Sequence, residues 1–205
     1  MSDIGQDAAK YCISHELFLR ILDEVMERPD IDLTFDDGYA SDTEIALPAL
    51  CERGLTARFF PLAGYLGRPG YLDGDGVRTL ARAGMSIGSH GMRHRSWRGL
   101  DADATQEELS AARALLAEAA GVPVTTAACP LGQYDRRLLS ALRRLGYRQV
   151  FTSDSTPARR GCWLQPRYSL LRSDTLGTIR SGILAPQPLA ARVRGAAVQR
   201  LKAWR

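Results

Sequence analysis

Two adjacent carboxylates, Asp36 and Asp37, stand in the stretch IDLTFDDGYASD, where apolar residues alternate into the acidic pair and a glycine follows. A buried carboxylate must be offset by a metal, a cation or hydrogen-bond donors, so this pair either faces water or holds something. The chain has 3 histidines, and two of them, His90 and His94, share the segment SHGMRH at the spacing H-x3-H. Each group alone is a weak signal, because an Asp pair before Gly is often a solvated turn and histidines are often plain surface residues. Jointly they say more. One Asp and two His leave a divalent cation with an open position for water, the composition of a hydrolytic rather than a structural site. The other carboxylate then has a role as a base.

For these groups to meet, they must sit at the ends of neighbouring elements. Alternation predicts strands over 31–35, 56–60, 85–89, 125–129 and 149–152. A helix from Ser14 carries Phe18, Ile21, Leu22 and Val25 at helical spacing and stops at Pro29. Ser41 with Glu44 reads as a capping box for the next helix, which Pro48 should kink. A third runs through Val77, Leu80 and Ala81. Asp103 with Gln106 reads as the cap of a long helix bearing Leu109, Ala112, Leu116 and Ala119, and Asp135 as the cap of one bearing Leu138, Leu142 and Leu145. Strand-then-helix units in series, without hairpin signals, predict a parallel sheet or barrel. Chemistry in such folds gathers at the C-terminal ends of the strands, where DDG, SHGMRH and CPLGQYD all fall.

The totals narrow the function classes. With 205 residues and 45% hydrophobic content the chain can bury one core, so a single domain over 1–205 is expected. A net charge of +4 spread along the chain is not the basic stripe of a nucleic-acid binder, and no nucleic acid is expected. The start MSDIGQDAAKYC lacks a charged segment leading into an apolar run, and no long apolar span occurs, so a soluble, cytoplasmic protein is expected. Cys12, Cys51, Cys129 and Cys162 are widely spaced, which favours reduced thiols over a zinc knuckle or a disulfide framework. The tail 186–205 is basic, with Leu189, Val193, Ala197 and Leu201 at helical spacing. A terminal helix docked on the barrel is the reading preferred over contact with an anionic membrane. Oligomeric state is not legible.

TFDDG, then SHGMRH after a further strand, then a P-x-G loop in CPLGQYD resemble the polysaccharide deacetylase family, the NodB-homology domain of carbohydrate esterase family 4, over 31–172. That resemblance implies an α/β fold, a single-domain distorted (β/α) barrel with about seven strands, fewer than the regular eight. It implies removal of an N-acetyl group from an N-acetylated sugar of a polysaccharide or glycan precursor. One divalent metal is implied, zinc foremost, with cobalt or nickel as alternatives. Carried over by position, Asp36 resembles the general base, and Asp37, His90 and His94 resemble the metal ligands. A backbone amide near Leu131 would hold the oxyanion, and Tyr39, Pro130, Leu131, Trp163 and Arg167 would line the substrate site.

Two departures stand out. Ala128 occupies the place where the family carries an arginine that positions the base, and no histidine follows His94 to serve as general acid. His15 precedes the first strand, leaving water, the base itself or an acid such as Asp154 as substitutes. These losses keep two alternatives open: a catalytically silent carbohydrate-binding relative, and a hydrolase of the same fold acting on another amide. Cys129 reads as core, and Asp42 as a residue of the first turn of the helix after DDG.

Overall fold

The structure is a computed structural model and describes residues 9–185 together with 197, 201, 202 and 204. Most of the tail over 186–205, including Leu189 and Val193 of the expected helical stripe, lies outside the described residues. The strands are β1 (Leu33–Asp37), β2 (Ala57–Pro61), β3 (Ser86–Ile87), β4 (Thr126–Ala128), β5 (Gln149–Thr152) and β6 (Leu164–Pro166). Every paired neighbour is parallel, in two three-stranded sheets ordered β1-β2-β3 and β4-β5-β6. Among the described residues, a single parallel bridge between Ser89 and Ala127 joins them: Ser89 N–H donates to Thr126 O and Ala128 N–H to Ser89 O.

Six strands in two sheets therefore replace the expected barrel of about seven, among the described residues. The ladder is thin at β3, which is two residues long, and after β6 the chain turns away toward a helix. What spans from β6 back to β1 is a side chain, that of Arg167, whose Nη1 donates to Thr34 Oγ1 at 2.9 Å.

Period-two alternation sorts the strand residues into two layers. Leu33, Phe35, Ala57 and Phe59 join Leu22, Leu50, Val77, Leu80 and Leu116 in the core between sheet and helices, with Phe35 stacked on Phe59 at 4.7 Å. Thr34, Asp36, Arg58 and Phe60 alternate to the other face. There Phe60, Ala128 and Phe151 form a small cluster of their own. Full burial of a phenylalanine contributes about 2 kcal/mol, so Phe59 and Phe60 together fix β2 from both sides.

Helix α1 (His15–Met26) starts where expected, with the Ser14 hydroxyl accepting Leu17 N–H at 3.2 Å. The Ser41 capping box does not form. Ser41 is already helical in backbone, and the chain enters a π-helical turn, Asp42–Ala46, before α2 (Leu47–Glu52). Pro48 thus sits in the first turn of α2, where its missing N–H has no partner to lose, and does not kink a continuous helix. Helix α3 spans Gly74–Arg82. The long helix is capped by Asp101 rather than Asp103: Asp101 has the extended backbone a cap requires, and its Oδ1 accepts Ala104 N–H at 2.8 Å. It runs as α4 (Ala102–Thr105), a π-helical stretch Gln106–Ala111 and α5 (Ala112–Ala120), ending at Gly121 with φ 70°. Asp135 caps α6 (Arg136–Arg144) as expected, at 2.7 Å from Leu138 N–H, and α7 spans Leu176–Ile179.

Candidate active site

The end of β1 delivers the acidic pair by a sharp break from the strand. Asp37 has φ 74° and Gly38 φ 77°, and a Cβ on Gly38 would stand 2.7 Å from that of Pro61 across the ladder. A left-handed aspartate costs about 1 kcal/mol, and that strain turns the Asp37 side chain away from the alternation that governs Asp36.

Asp36 points across the strand ends to Arg167. Both carboxylate oxygens accept guanidinium N–H at 2.7 Å, and the Arg167 Cζ lies 5.5 Å from the Phe60 ring centroid and 5.9 Å from that of Phe151. Burial alone would raise the Asp36 pKa, but the charge of Arg167, the neighbouring His90 and the hydrogen bonds from Arg167 outweigh it and hold the group at about 2. Asp36 is therefore a fixed, ionised carboxylate, with 32% of its side chain exposed.

Asp37, His90 and His94 converge. Asp37 Oδ1 lies 3.7 Å from His90 Nε2 and 3.6 Å from His94 Nε2, and one ligand atom from each residue falls within 4.8 Å of the others. Two ligands on one tetrahedral zinc stand about 3.4 Å apart, so the spacing suits a shared cation. Asp37 Oδ1 is buried and has no hydrogen-bond partner, an uncompensated acceptor that a cation would satisfy. His90 is 3% exposed in its side chain, and its Nδ1–H donates to Ala128 O at 2.8 Å, which turns Nε2 toward Asp37. Burial lowers the His94 pKa against the pull of Asp37, favouring the neutral imidazole that a metal requires. One carboxylate and two imidazoles fit a divalent metal of the zinc type.

The segment between the histidines is held by a group that the sequence reading passed over. Glu108 is fully buried, and its Oε2 accepts Met92 N–H at 2.8 Å and Trp97 Nε1–H at 3.2 Å. Gly91, at φ 85°, makes room for this: a Cβ there would come 2.4 Å from Glu108 Oε2 and 2.8 Å from Trp97 Nε1. Glu108 sits four residues before Ala112 and eight before Leu116, both buried, so an acid on an apolar stripe was the available signal.

The remaining expected residues divide. Tyr39 adjoins the acidic turn, stacked on Tyr71 at 5.1 Å, with its hydroxyl pKa raised by burial and by the charge of Asp37. Pro130 is buried and Leu131 exposed at the end of β4, with Leu131 left-handed at φ 58°. Trp163 is not with them. It precedes β6, at the opposite end of the sheet, where its Nε1–H donates to Tyr147 O at 2.8 Å and Arg143 covers its ring at 4.1 Å. Arg167 is not a rim residue but the partner of Asp36 beneath it. Cys129 is core, its thiol pKa pushed by burial up to about 12, and His15 lies exposed at the start of α1. Asp42 is more than a first-turn residue: it is buried, Oδ2 has no hydrogen-bond partner, and burial, then Asp37 and Asp36, raise its pKa well above the usual carboxylate value.

A parallel α/β domain with an arginine-clamped carboxylate beside an Asp-His-His cluster at its strand ends defines a hydrolase scaffold. The chain belongs to the polysaccharide deacetylase family, whose family model, described as Polysaccharide deacetylase, matches residues 23–150. The YxkH protein of Bacillus subtilis is 29% identical over 140 residues, covering 68% of this chain and 49% of that protein. The chain spans about half the length of the curated relatives it matches. Among solved structures, the Streptococcus pyogenes deacetylase PplD in complex with acetate superposes with a TM-score of 0.76 at 19% identity, covering 85% of this chain and 88% of that one. The polysaccharide deacetylase BC0361 of Bacillus cereus superposes with a TM-score of 0.75 at 19% identity, covering 87% and 64%. Both share the fold.

Proposed function

We propose that this protein is a metal-dependent deacetylase that removes the N-acetyl group from an acetylated aminosugar in a polysaccharide or glycan precursor. The observation that carries the reading is the juxtaposition of the unpartnered Asp37 Oδ1, facing His90 and His94, with an Asp36 carboxylate fixed by Arg167. Asp37, His90 and His94 would hold a divalent cation, zinc foremost, which when bound supplies Lewis-acid polarisation of the acyl oxygen and acidifies water.

The chain's own groups account for the rest. Arg167 keeps Asp36 ionised and aimed, so that Asp36 can take a proton from water as the water oxygen bonds to the acyl carbon. The C–N bond then breaks, its electron pair goes to nitrogen, and the nitrogen takes up a proton. Tyr39 and the Pro130–Leu131 turn flank the strand ends that carry these groups and are assigned to substrate contact.

Arg167 also weighs against the silent carbohydrate-binding alternative. That alternative rested on the loss of both the general acid and a base-positioning arginine at Ala128, and a cation just after β6 answers the second of these. The test is acetate release from acetylated aminosugar oligomers by protein loaded with zinc, cobalt or nickel. Asp36→Asn should lower it by about 100-fold or more while metal content is kept, as expected for a general base. Full activity in Asp36→Asn would remove that assignment.

A further inference from the structure

A second polar cluster shares this end of the sheet. Asp154 follows β5, and its side chain is fully buried, at 0% exposure. Its Oδ2 accepts the hydroxyls of Tyr134 and Thr152, each at 2.7 Å, and its Oδ1 accepts Lys202 Nζ at 2.6 Å. Lys202 comes from the far end of the chain, and its ammonium lies 5.7 Å from the centroid of the Tyr134 ring. The cluster is wired to the base. Arg167 N–H donates to Thr152 O at 2.8 Å, and the Arg167 guanidinium holds Asp36.

Cleavage of an amide requires a proton at the departing nitrogen. The Arg167 guanidinium stays protonated in any protein and both its terminal nitrogens are on Asp36. Tyr134 has spent its hydroxyl proton on Asp154, and Cys129 is buried in the core. Asp154 accepts from three donors, so it serves as an anchor and not as an acid. Lys202 gives one of its three N–H groups to Asp154 and keeps 40% of its side chain exposed.

We propose that Lys202, aimed by Asp154, is the proton donor to the leaving amine, an inference that rests on the deacetylase reading above. As the C–N bond breaks, its electron pair goes to nitrogen, which takes a proton from the Lys202 ammonium. Asp36 holds the proton taken from water, whose oxygen is now bonded to the acyl carbon. The products are acetic acid and the free aminosugar. Asp36 then releases its proton to solvent, and Lys202 recovers one.

The experiment compares wild type, Lys202→Met and Lys202→Arg on two substrates: an acetylated aminosugar oligomer, and nitrophenyl acetate, whose leaving group departs without a proton. Lys202→Arg keeps a cation on Asp154 but cannot donate a proton. Both variants should lose about 100-fold or more in acetate release from the oligomer. Ester cleavage, metal content and thermal unfolding of Lys202→Arg should stay close to wild type. Equal losses on amide and ester, or an unchanged amide rate in Lys202→Arg, would overturn the proposal. Wild type that cleaves the ester but releases no acetate from any acetylated aminosugar would remove the deacetylase reading itself.

Discussion

Arg167 and Asp36 meet at two points of 2.7 Å each, across 131 residues of chain, and this ion pair ties the last strand to the first. It sets a forked cation, carried just after β6, on the carboxylate that Ala128 has no charge to hold. A guanidinium grips a carboxylate in two places, whereas an ammonium is a single point of charge. Arg167→Lys and Arg167→Met are therefore expected to lower kcat/KM for acetate release by about 100-fold, with metal content unchanged. Arg167→Met should also lose about 2 kcal/mol of stability by stranding Asp36. Steady-state kinetics and thermal unfolding of the same preparations check both, and kcat/KM within a factor of about two of wild type would contradict the first.

Glu108 shapes the loop between His90 and His94 through Met92 N–H and Trp97 Nε1–H. Glu108→Ala leaves a buried Trp97 donor and a part-buried Met92 donor without their acceptor, at a cost of about 2–4 kcal/mol, and should weaken metal binding by about 10- to 100-fold. Glu108→Gln retains a carbonyl oxygen and should fall between. Zinc titration and denaturant unfolding report the two effects, and tight zinc binding by a destabilised Glu108→Ala would separate the loop from the site.

Asp42 carries a pH signature. Its pKa is raised well above 3.8 by burial first and by Asp37 and Asp36 second. An acid raised on folding contributes stability that is fully present below its unfolded value and lost as pH rises through its folded value. Asp42→Asn removes that loss. The variant should be more stable than wild type by about 1 kcal/mol at pH 7, with the gain fading as pH falls toward about 4. Unfolding curves across this range check the sign, and a gain that grows toward acid would refute it.

Trp163 sits at the far end of the sheet, so a packing role is expected of it. Trp163→Phe loses the hydrogen bond to Tyr147 O and should cost about 1 kcal/mol, leaving acetate release within about twofold. A large change in KM for the oligomer would place Trp163 back at the substrate.

The acidic turn and the H-x3-H segment were legible because a residue pattern of period two must deliver its polar end to the mouth of a parallel sheet. The caps at Ser14 and Asp135 followed from local hydrogen bonding alone. The strand count was not fully legible: β1 to β5 overlap the five predicted stretches, but β6 has three residues, too short for any periodicity to register. That brevity also misplaced Trp163, since three residues of β6 separate it from Arg167 and so put the two at opposite ends. The Asp36–Arg167 pair depends on the curvature that brings β6 over β1, which no local pattern encodes. Lys202 is harder still, because its contact with Asp154 spans 48 residues from a basic tail read as a terminal helix docked on the barrel, with no partner named for it.

The most direct measurement is zinc titration of metal-stripped protein, wild type against Asp37→Ala and His94→Ala. One cation per chain in the wild type, with affinity at least about 100-fold weaker in each variant, is the predicted result. Undiminished binding in Asp37→Ala would contradict the site at the end of β1.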